Sequence, residues 1–253
     1  MRFTLLGTGT SQGVPIIGCN CEVCSSNDPQ DKRLRTSLLV ESDQHKVCVD
    51  IGPDFRYQLL REGVERLDAI VITHEHNDHI AGLDEVRALN FIQQRAMPIY
   101  CTERVELALR KKFYYIFENS DYPGVPQIEF VRIGKQPFSI GDITLLPVQL
   151  MHADMPVLGF RMGDFAYITD ANYIASAEKQ KLKGLQSLVL DALRREKHHS
   201  HFTLGEAVTL AKELEVPQVW LTHVSHQMGL AAEVNAELPE NMQLAYDGLV
   251  VEC

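Results

Sequence analysis

Apolar positions along this chain fall into two alternating patterns. Short runs of three to eight residues, many of them β-branched, are followed by longer stretches in which apolar residues recur every three or four positions. The first pattern predicts strands at residues 2–6, 37–41, 46–49, 69–72, 98–100, 128–132, 143–150, 157–161, 165–168, 187–190 and 219–221. The second predicts helices at residues 54–62, 82–94, 103–112, 175–183, 203–214 and 226–237. The run 67–73 (LDAIVIT) is apolar almost throughout, as expected of an internal strand covered on both faces.

That run leads directly into Thr73-His74-Glu75-His76-Asn77-Asp78-His79, which sets three imidazoles and the Asp78 carboxylate at a strand end. On extended backbone His74 and His76 would point the same way, while Asp78 and His79 lie where the chain turns towards a helix. Imidazole with carboxylate suits zinc, manganese or iron, and a shared carboxylate can hold two ions roughly 3.5–4 Å apart. The plainer alternative is a histidine-rich surface loop.

Four more candidates stand at the ends of predicted strands: Asp50 before Gly52-Pro53, His152, Asp170 and His223. Singly each has a bland explanation. Asp50 suits a turn, His152 a loop, Asp170 a helix N-cap before Ala171, and His223 a core imidazole with satisfied nitrogens.

Cys19-Asn20-Cys21-Glu22-Val23-Cys24 places three thiols within six residues, in a segment (18–35) whose polar part lacks apolar period. A tetrahedral structural zinc needs a fourth ligand. Thr222-His223-Val224-Ser225-His226-Gln227 offers one in His226, so Cys19, Cys21, Cys24 and His226 form the expected set. A disulfide within this odd-numbered cluster is the competing reading. Cys48, Cys101 and Cys253 read as single inert thiols.

The pattern His74-x-His76-x-Asp78-His79 resembles the signature of the metallo-β-lactamase superfamily. That resemblance implies one metal held by His74, His76 and His152, and another by Asp78, His79 and His223, with Asp170 and a hydroxide between them. Asp50 would orient a ligand through a hydrogen bond. It also implies an αββα sandwich, a four-layer α/β (α+β) fold in which outer helices cover two packed sheets. With the cysteine segment, the chain is similar end to end to the PhnP-like phosphodiesterases. The matching stretches include Leu6-Gly7-Thr8-Gly9-Thr10-Ser11-Gln12-Gly13-Val14-Pro15, GCNCEVC, THEHNDH, THVSHQ and Tyr246-Asp247-Gly248. The resemblance implies a structural zinc, a two-metal centre loaded with manganese or zinc, and hydrolysis of small or cyclic ribose phosphate diesters. Relatives that process the 3′ ends of transfer RNA share the catalytic motifs but carry a basic, glycine-rich arm that is not found here.

In Lys197-His198-His199-Ser200-His201-Phe202, relatives place a histidine that protonates the leaving oxygen. His201, directly before a predicted helix, is chosen over His198 and His199. Asp50, Asp78 and His201 are thus the candidate catalytic residues. Phe113-Tyr114-Tyr115-Ile116-Phe117, leading into the stretch 118–127, is read either as a lid or as a packing element.

Composition narrows the function classes. A length of 253 residues with 45% hydrophobic content suits one large core, so a single domain spanning 1–253 is expected. A net charge of −10 disfavours a stable complex with nucleic acid, which would require clustered Lys and Arg. No apolar run reaches the roughly 18 residues that a membrane span needs, and the stretch 1–6 is too short for a signal segment, so a cytoplasmic location is expected. The expected partner is a small phosphodiester, and a homodimer is allowed for. A transfer-RNA endonuclease, a thioester or lactone hydrolase and a non-catalytic metal scaffold are the rivals.

Overall fold

The computed structural model describes residues 1–118 and 124–253. Among these, fourteen strands form two seven-stranded sheets. The first holds β1 (Arg2–Gly7), β2 (Ser37–Glu41), β3 (Lys46–Val49), β4 (Ala69–Val71), β5 (Met97–Cys101) and β6 (Ile128–Arg132). The second holds β7 (Phe138–Ile140), β8 (Ile143–His152), β9 (Met155–Met162), β10 (Phe165–Ile168), β11 (Ser187–Asp191), β12 (Gln218–Thr222) and β13 (Met242–Leu244), while β14 (Val250–Glu252) returns to pair with β1. In each sheet an antiparallel portion leads into parallel strands, β3 to β6 in one and β10 to β13 in the other.

Two-sided burial explains the apolar runs. Along β3 and β4, Val47, Val49, Ala69 and Val71 face the second sheet and meet Phe160, Phe165 and Tyr167 there. Their neighbours Cys48 and Ile70 face outward onto helices α2 (Phe55–Arg61), α4 (Val86–Gln93) and α5 (Glu103–Lys112). The second sheet repeats this. Val189 points inward, and Leu188 and Leu190 lie under α8 (Leu204–Glu213) and α9 (Ala231–Glu237). Burying one such aliphatic side chain contributes about 1.5–3 kcal/mol, so strands filled on both faces dominate the stability. The result is the αββα sandwich.

Most predicted elements hold to within two residues, and the exceptions have local causes. The helix predicted over 226–237 is broken: a 3-10 turn, His226–Met228, is followed by Gly229 at φ 110°, ψ 176°, and α9 begins at Ala231. Glycine alone adopts that conformation without strain, and it separates His226 from the helix. The segment predicted over 82–94 opens as a 3-10 turn, Leu83–Glu85, and ends where Gln94 turns left-handed. The segment predicted over 175–183 splits into α7 (Ser176–Lys179) and a 3-10 turn.

Short elements escaped the periodicity: α1 (Glu22–Ser25), α3 (Asn77–Ile80), α6 (Tyr114–Phe117), β7, β13 and β14. Within the aromatic stretch, Phe113 is buried, and Phe117 lies against Phe130 at 5.5 Å with Arg110 over both rings. These residues pack. Residues 119–123 of the suggested lid lie outside the described residues. No helix among the described residues is long and apolar enough to cross a membrane.

Candidate metal centres

Five parallel strands deliver their carboxyl ends to one edge of the sandwich. Asp50 follows β3, the loop 73–79 follows β4, Asp170 follows β10, Asp191 ends β11 and His223 follows β12, while His152 ends β8 beside them. Asp50, Asp170 and His223 take φ values of 63°, 52° and 58°. That region costs non-glycine residues energy and is held only by surrounding structure. Each such turn swings a side chain off its strand and into the shared edge.

The loop after β4 is clasped to the end of β3. Ile51 N–H donates to the His79 carbonyl at 2.8 Å, and Gly82 N–H donates to the Ile51 carbonyl at 2.8 Å. A Cβ on Gly52 would overlap the Asp78 carbonyl, and one on Gly82 would overlap the Gly52 carbonyl, so this approach needs both glycines. The buried Asp50 carboxylate accepts from Thr73 N–H at 2.9 Å, from the Thr73 hydroxyl at 2.9 Å and from His79 Nδ1 at 2.7 Å. His79 therefore carries its proton on Nδ1 and presents Nε2 to the site. His74 Nδ1 and His152 Nδ1 are similarly engaged, by the Thr73 hydroxyl at 3.0 Å and the Ser200 carbonyl at 2.8 Å.

The other ring nitrogens converge on Asp170. His79 Nε2 lies 3.1 Å from Asp170 Oδ2 and His223 Nε2 lies 3.2 Å from Asp170 Oδ1, with His74 Nε2 at 3.9 Å. Asp78 Oδ2 lies 3.3 Å from His79 Nε2 and 3.6 Å from His223 Nε2. Yet Nε2 of His74 and His79 and both nitrogens of His223 make no hydrogen bond, although they are buried. Lone pairs aimed at a common point, with ligand atoms about 3.4 Å apart, are what tetrahedral coordination at roughly 2.0–2.2 Å requires. The donor set fits divalent cations.

Ligand atoms of Asp78, His79, Asp170 and His223 all lie within 4.8 Å of one another, as do those of His74, His76 and Asp170. His152 groups instead with Asp170 and His201, its ring 5.1 Å from that of His76 and 5.8 Å from that of His74. The loop is no surface tract, since three of its four candidate ligands, His74, Asp78 and His79, are buried and the fourth, His76, is exposed. Nor does Asp170 cap a helix, because the next helix starts at Ser176.

Electrostatics show the same demand for positive charge. Burial opposes protonation of His79, but the carboxylates of Asp170, Asp78 and Asp50 outweigh it and hold its pKa well above the usual value. Burial likewise opposes ionisation of Asp170, yet the neighbouring His223 and His79 hold its carboxyl well below the normal range. His74 is pushed down by burial and by His79, and His152 mainly by burial.

His201 lies 4.0 Å from Asp170 and is buried, whereas His199 is exposed and His198 turns to Ser200. Despite burial, Asp191 raises the His201 pKa to about 9. Sequence reasoning gave Asp191 no role. Its Oδ1 lies 3.2 Å from His201 Nδ1 and 3.6 Å from His223 Nδ1, and its Oδ2 accepts from Phe202 N–H at 3.0 Å. The available signal was an acid closing an apolar strand, the pattern already used for Asp50 and Asp170.

At a second place, His226 Nδ1 lies 3.4, 3.3 and 3.6 Å from the sulfurs of Cys19, Cys21 and Cys24. A tetrahedral zinc with Zn–S of about 2.3 Å and Zn–N of about 2.0 Å sets that separation at about 3.5 Å. All six cysteines are free, which removes the disulfide alternative. The backbone N–H of Cys24, followed by His226, lowers the Cys21 pKa to about 6, whereas burial raises Cys24 to about 11 and Cys48 and Cys101 to about 12. The closing motif supports this end of the molecule, with Asp247 accepting from the Thr8 hydroxyl at 2.8 Å and from Leu34 N–H at 2.7 Å.

Comparison with known proteins places these features. Residues 45–224 match the family described as Beta-lactamase superfamily domain. A solved diphosphatase of the PhnP family is 43% identical with a TM-score of 0.93, covering 100% of this chain and 97% of that one. The short form of human tRNase Z has 19% identity and a TM-score of 0.73, with 100% and 99% coverage, a likeness of fold alone. Among curated proteins, an octanoyltransferase of Porphyromonas gingivalis is 40% identical over 252 residues, 98% of this chain. The chain spans about half the length of that relative, 51% of it.

Proposed function

The chain belongs to the beta-lactamase superfamily, and from that premise we propose that it is a metal-dependent hydrolase cleaving phosphodiester or diphosphate bonds in a small substrate. The observation that carries this reading is the set of buried imidazole nitrogens without hydrogen bonds around Asp170. His74, His76 and His152 would hold one cation, Asp78, His79 and His223 the other, with Asp170 between them. When bound, two such cations polarise phosphoryl oxygens and make hydroxide available near neutral pH. Asp50 fixes the His79 tautomer. His201, charged through its contact with Asp191, stands beside Asp170 as the proton donor to a leaving oxygen. Cys19, Cys21, Cys24 and His226 would hold a separate zinc that ties the loop around α1 to the chain after β12.

The diphosphatase with 43% identity supports a phosphoryl substrate. An acyl substrate is the second reading, favoured by the relative named for octanoyl transfer. Protein loaded with manganese or zinc should hydrolyse bis(p-nitrophenyl) phosphate or a diphosphate diester and leave thioesters and lactones intact. The reverse result would replace the phosphoryl reading with the acyl one, and turnover of neither class would leave a metal-binding scaffold.

A further inference from the structure

Helix α5 runs along the mouth of the catalytic site and carries a cation at each end. Both reach the two positions of the histidine motif that hold no metal. Arg104 Nε and Nη2 each lie 2.6 Å from Glu75 Oε1, and Lys112 Nζ donates to Asn77 Oδ1. Arg104 is the more informative. Its side chain is 51% exposed and lines an open cavity of about 430 Å³ together with His76, His152, His199 and Ser200. Two of those residues are candidate ligands of the same cation. Among the described residues Asp154 is the one acidic residue in that lining, although the chain carries a net charge of −10. Among the described residues Nη1 makes no hydrogen bond, so one edge of the guanidinium is committed to Glu75 and the other is left for a ligand.

Guanidinium presents five N–H donors in a planar fork that matches phosphoryl oxygens, and a half-exposed guanidinium at a cation site is placed to receive an anion. A single diester carries one charge, which two cations already match. Glu75 already matches the charge of Arg104, so it is the uncommitted edge of the guanidinium, in the lining shared with His76 and His152, that gives a second anionic group a place to bind. Resting on the phosphoryl reading above, we propose that Arg104 is a specificity-determining residue that binds a second phosphoryl group of the substrate, next to the one seated at the metals. Glu75 is the resident counter-ion that holds the guanidinium in place before the substrate arrives.

The test compares two ligands that differ by one phosphoryl group, methyl phosphate and methyl diphosphate. They are titrated calorimetrically into metal-loaded wild-type protein and into Arg104→Ala, Arg104→Lys and Glu75→Gln, with metal content assayed before and after. Loss of charge-assisted hydrogen bonds should weaken methyl diphosphate binding by about tenfold or more in Arg104→Ala and methyl phosphate by less than about twofold. Arg104→Lys should fall between, because it keeps the charge and loses the fork. Glu75→Gln should bind methyl diphosphate at least as well as wild type, since it removes a competing carboxylate.

Equal weakening of both ligands by Arg104→Ala, no weakening of either, or metal loss in that variant would overturn the proposal. So would Glu75→Gln copying Arg104→Ala, the result expected if the pair only tethers the loop. Failure of the functional reading shows separately, as absent turnover of diesters and diphosphates by the wild-type protein whatever the ligand preference.

Discussion

At the scale of single residues, the proposed bridging carboxylate and the proposed proton donor carry the sharpest expectations. Among the described residues Asp170 is the one carboxylate that reaches His74, His79, His201 and His223 together, at 3.9, 3.1, 4.0 and 3.2 Å, so Asp170→Ala should abolish hydrolysis while the thermal transition persists. Near wild-type turnover in that variant would exclude the two-cation site. For the donor, positioned acids contribute about 10²–10⁴-fold when the leaving group is a poor one. His201→Ala should therefore slow an alkyl diester by that order and a nitrophenyl ester far less. Equal losses would reject the role.

The sign of the pH dependence follows from the raised pKa of about 9. Folding stabilises the imidazolium, so this contribution is full below the ordinary value near 6.5 and is lost as pH rises through about 9. Alkyl diester hydrolysis should decline along the same limb. Removing the neighbouring charge with Asp191→Asn should bring that limb down by roughly 1–3 pH units, while nitrophenyl ester hydrolysis keeps its profile. A limb that stays in place would deny Asp191 its positioning role.

Turns and caps at the strand ends decide the site at the scale of elements. The β3–α3 clasp depends on backbone approaching backbone, so Gly52→Ala should push Asp50 away from the motif loop. Loss of catalytic cations by elemental analysis and a lowered Tm are expected, and a variant with both intact would show that the clasp is dispensable. The start of α8 is set by a capping box, in which Thr203 and Glu206 exchange hydrogen bonds two residues after His201. Thr203→Ala should cost about 1 kcal/mol in denaturant unfolding. Long elements such as α5 and α8 were legible because period and caps agree. Three-residue strands such as β7 and β13 were not, because pairing with neighbours makes them strands. Periodicity also ran through Gly229, where backbone conformation overrides the pattern and frees His226 for the cysteine cluster.

Across the whole molecule the two proposed metal sites would do different work. Cys21 and His226 are 205 positions apart, so a metal joining them would contribute its binding energy to folding. Cys21→Ser and His226→Ala should each release one tightly held metal and lower Tm markedly, whereas His223→Ala should lose a catalytic ion with a smaller effect on Tm. The reverse pattern would mean that the roles of the two histidines are exchanged. A mild chelator should accordingly remove activity before it removes fold.

The sequence by itself determined most of the strands, the two-sided burial of the run 67–73 and the identity of the clustered histidines, aspartates and cysteines, because periodicity and local spacing are properties of neighbours along the chain. Only tertiary structure decided that the Asp191 carboxylate lies between His201 and His223, that His152 sits nearer His201 than His74, and that Arg104 shares a cavity with the metal loop. Those relations join elements tens of residues apart, and the packing of two sheets, not any local pattern, sets the distances between them.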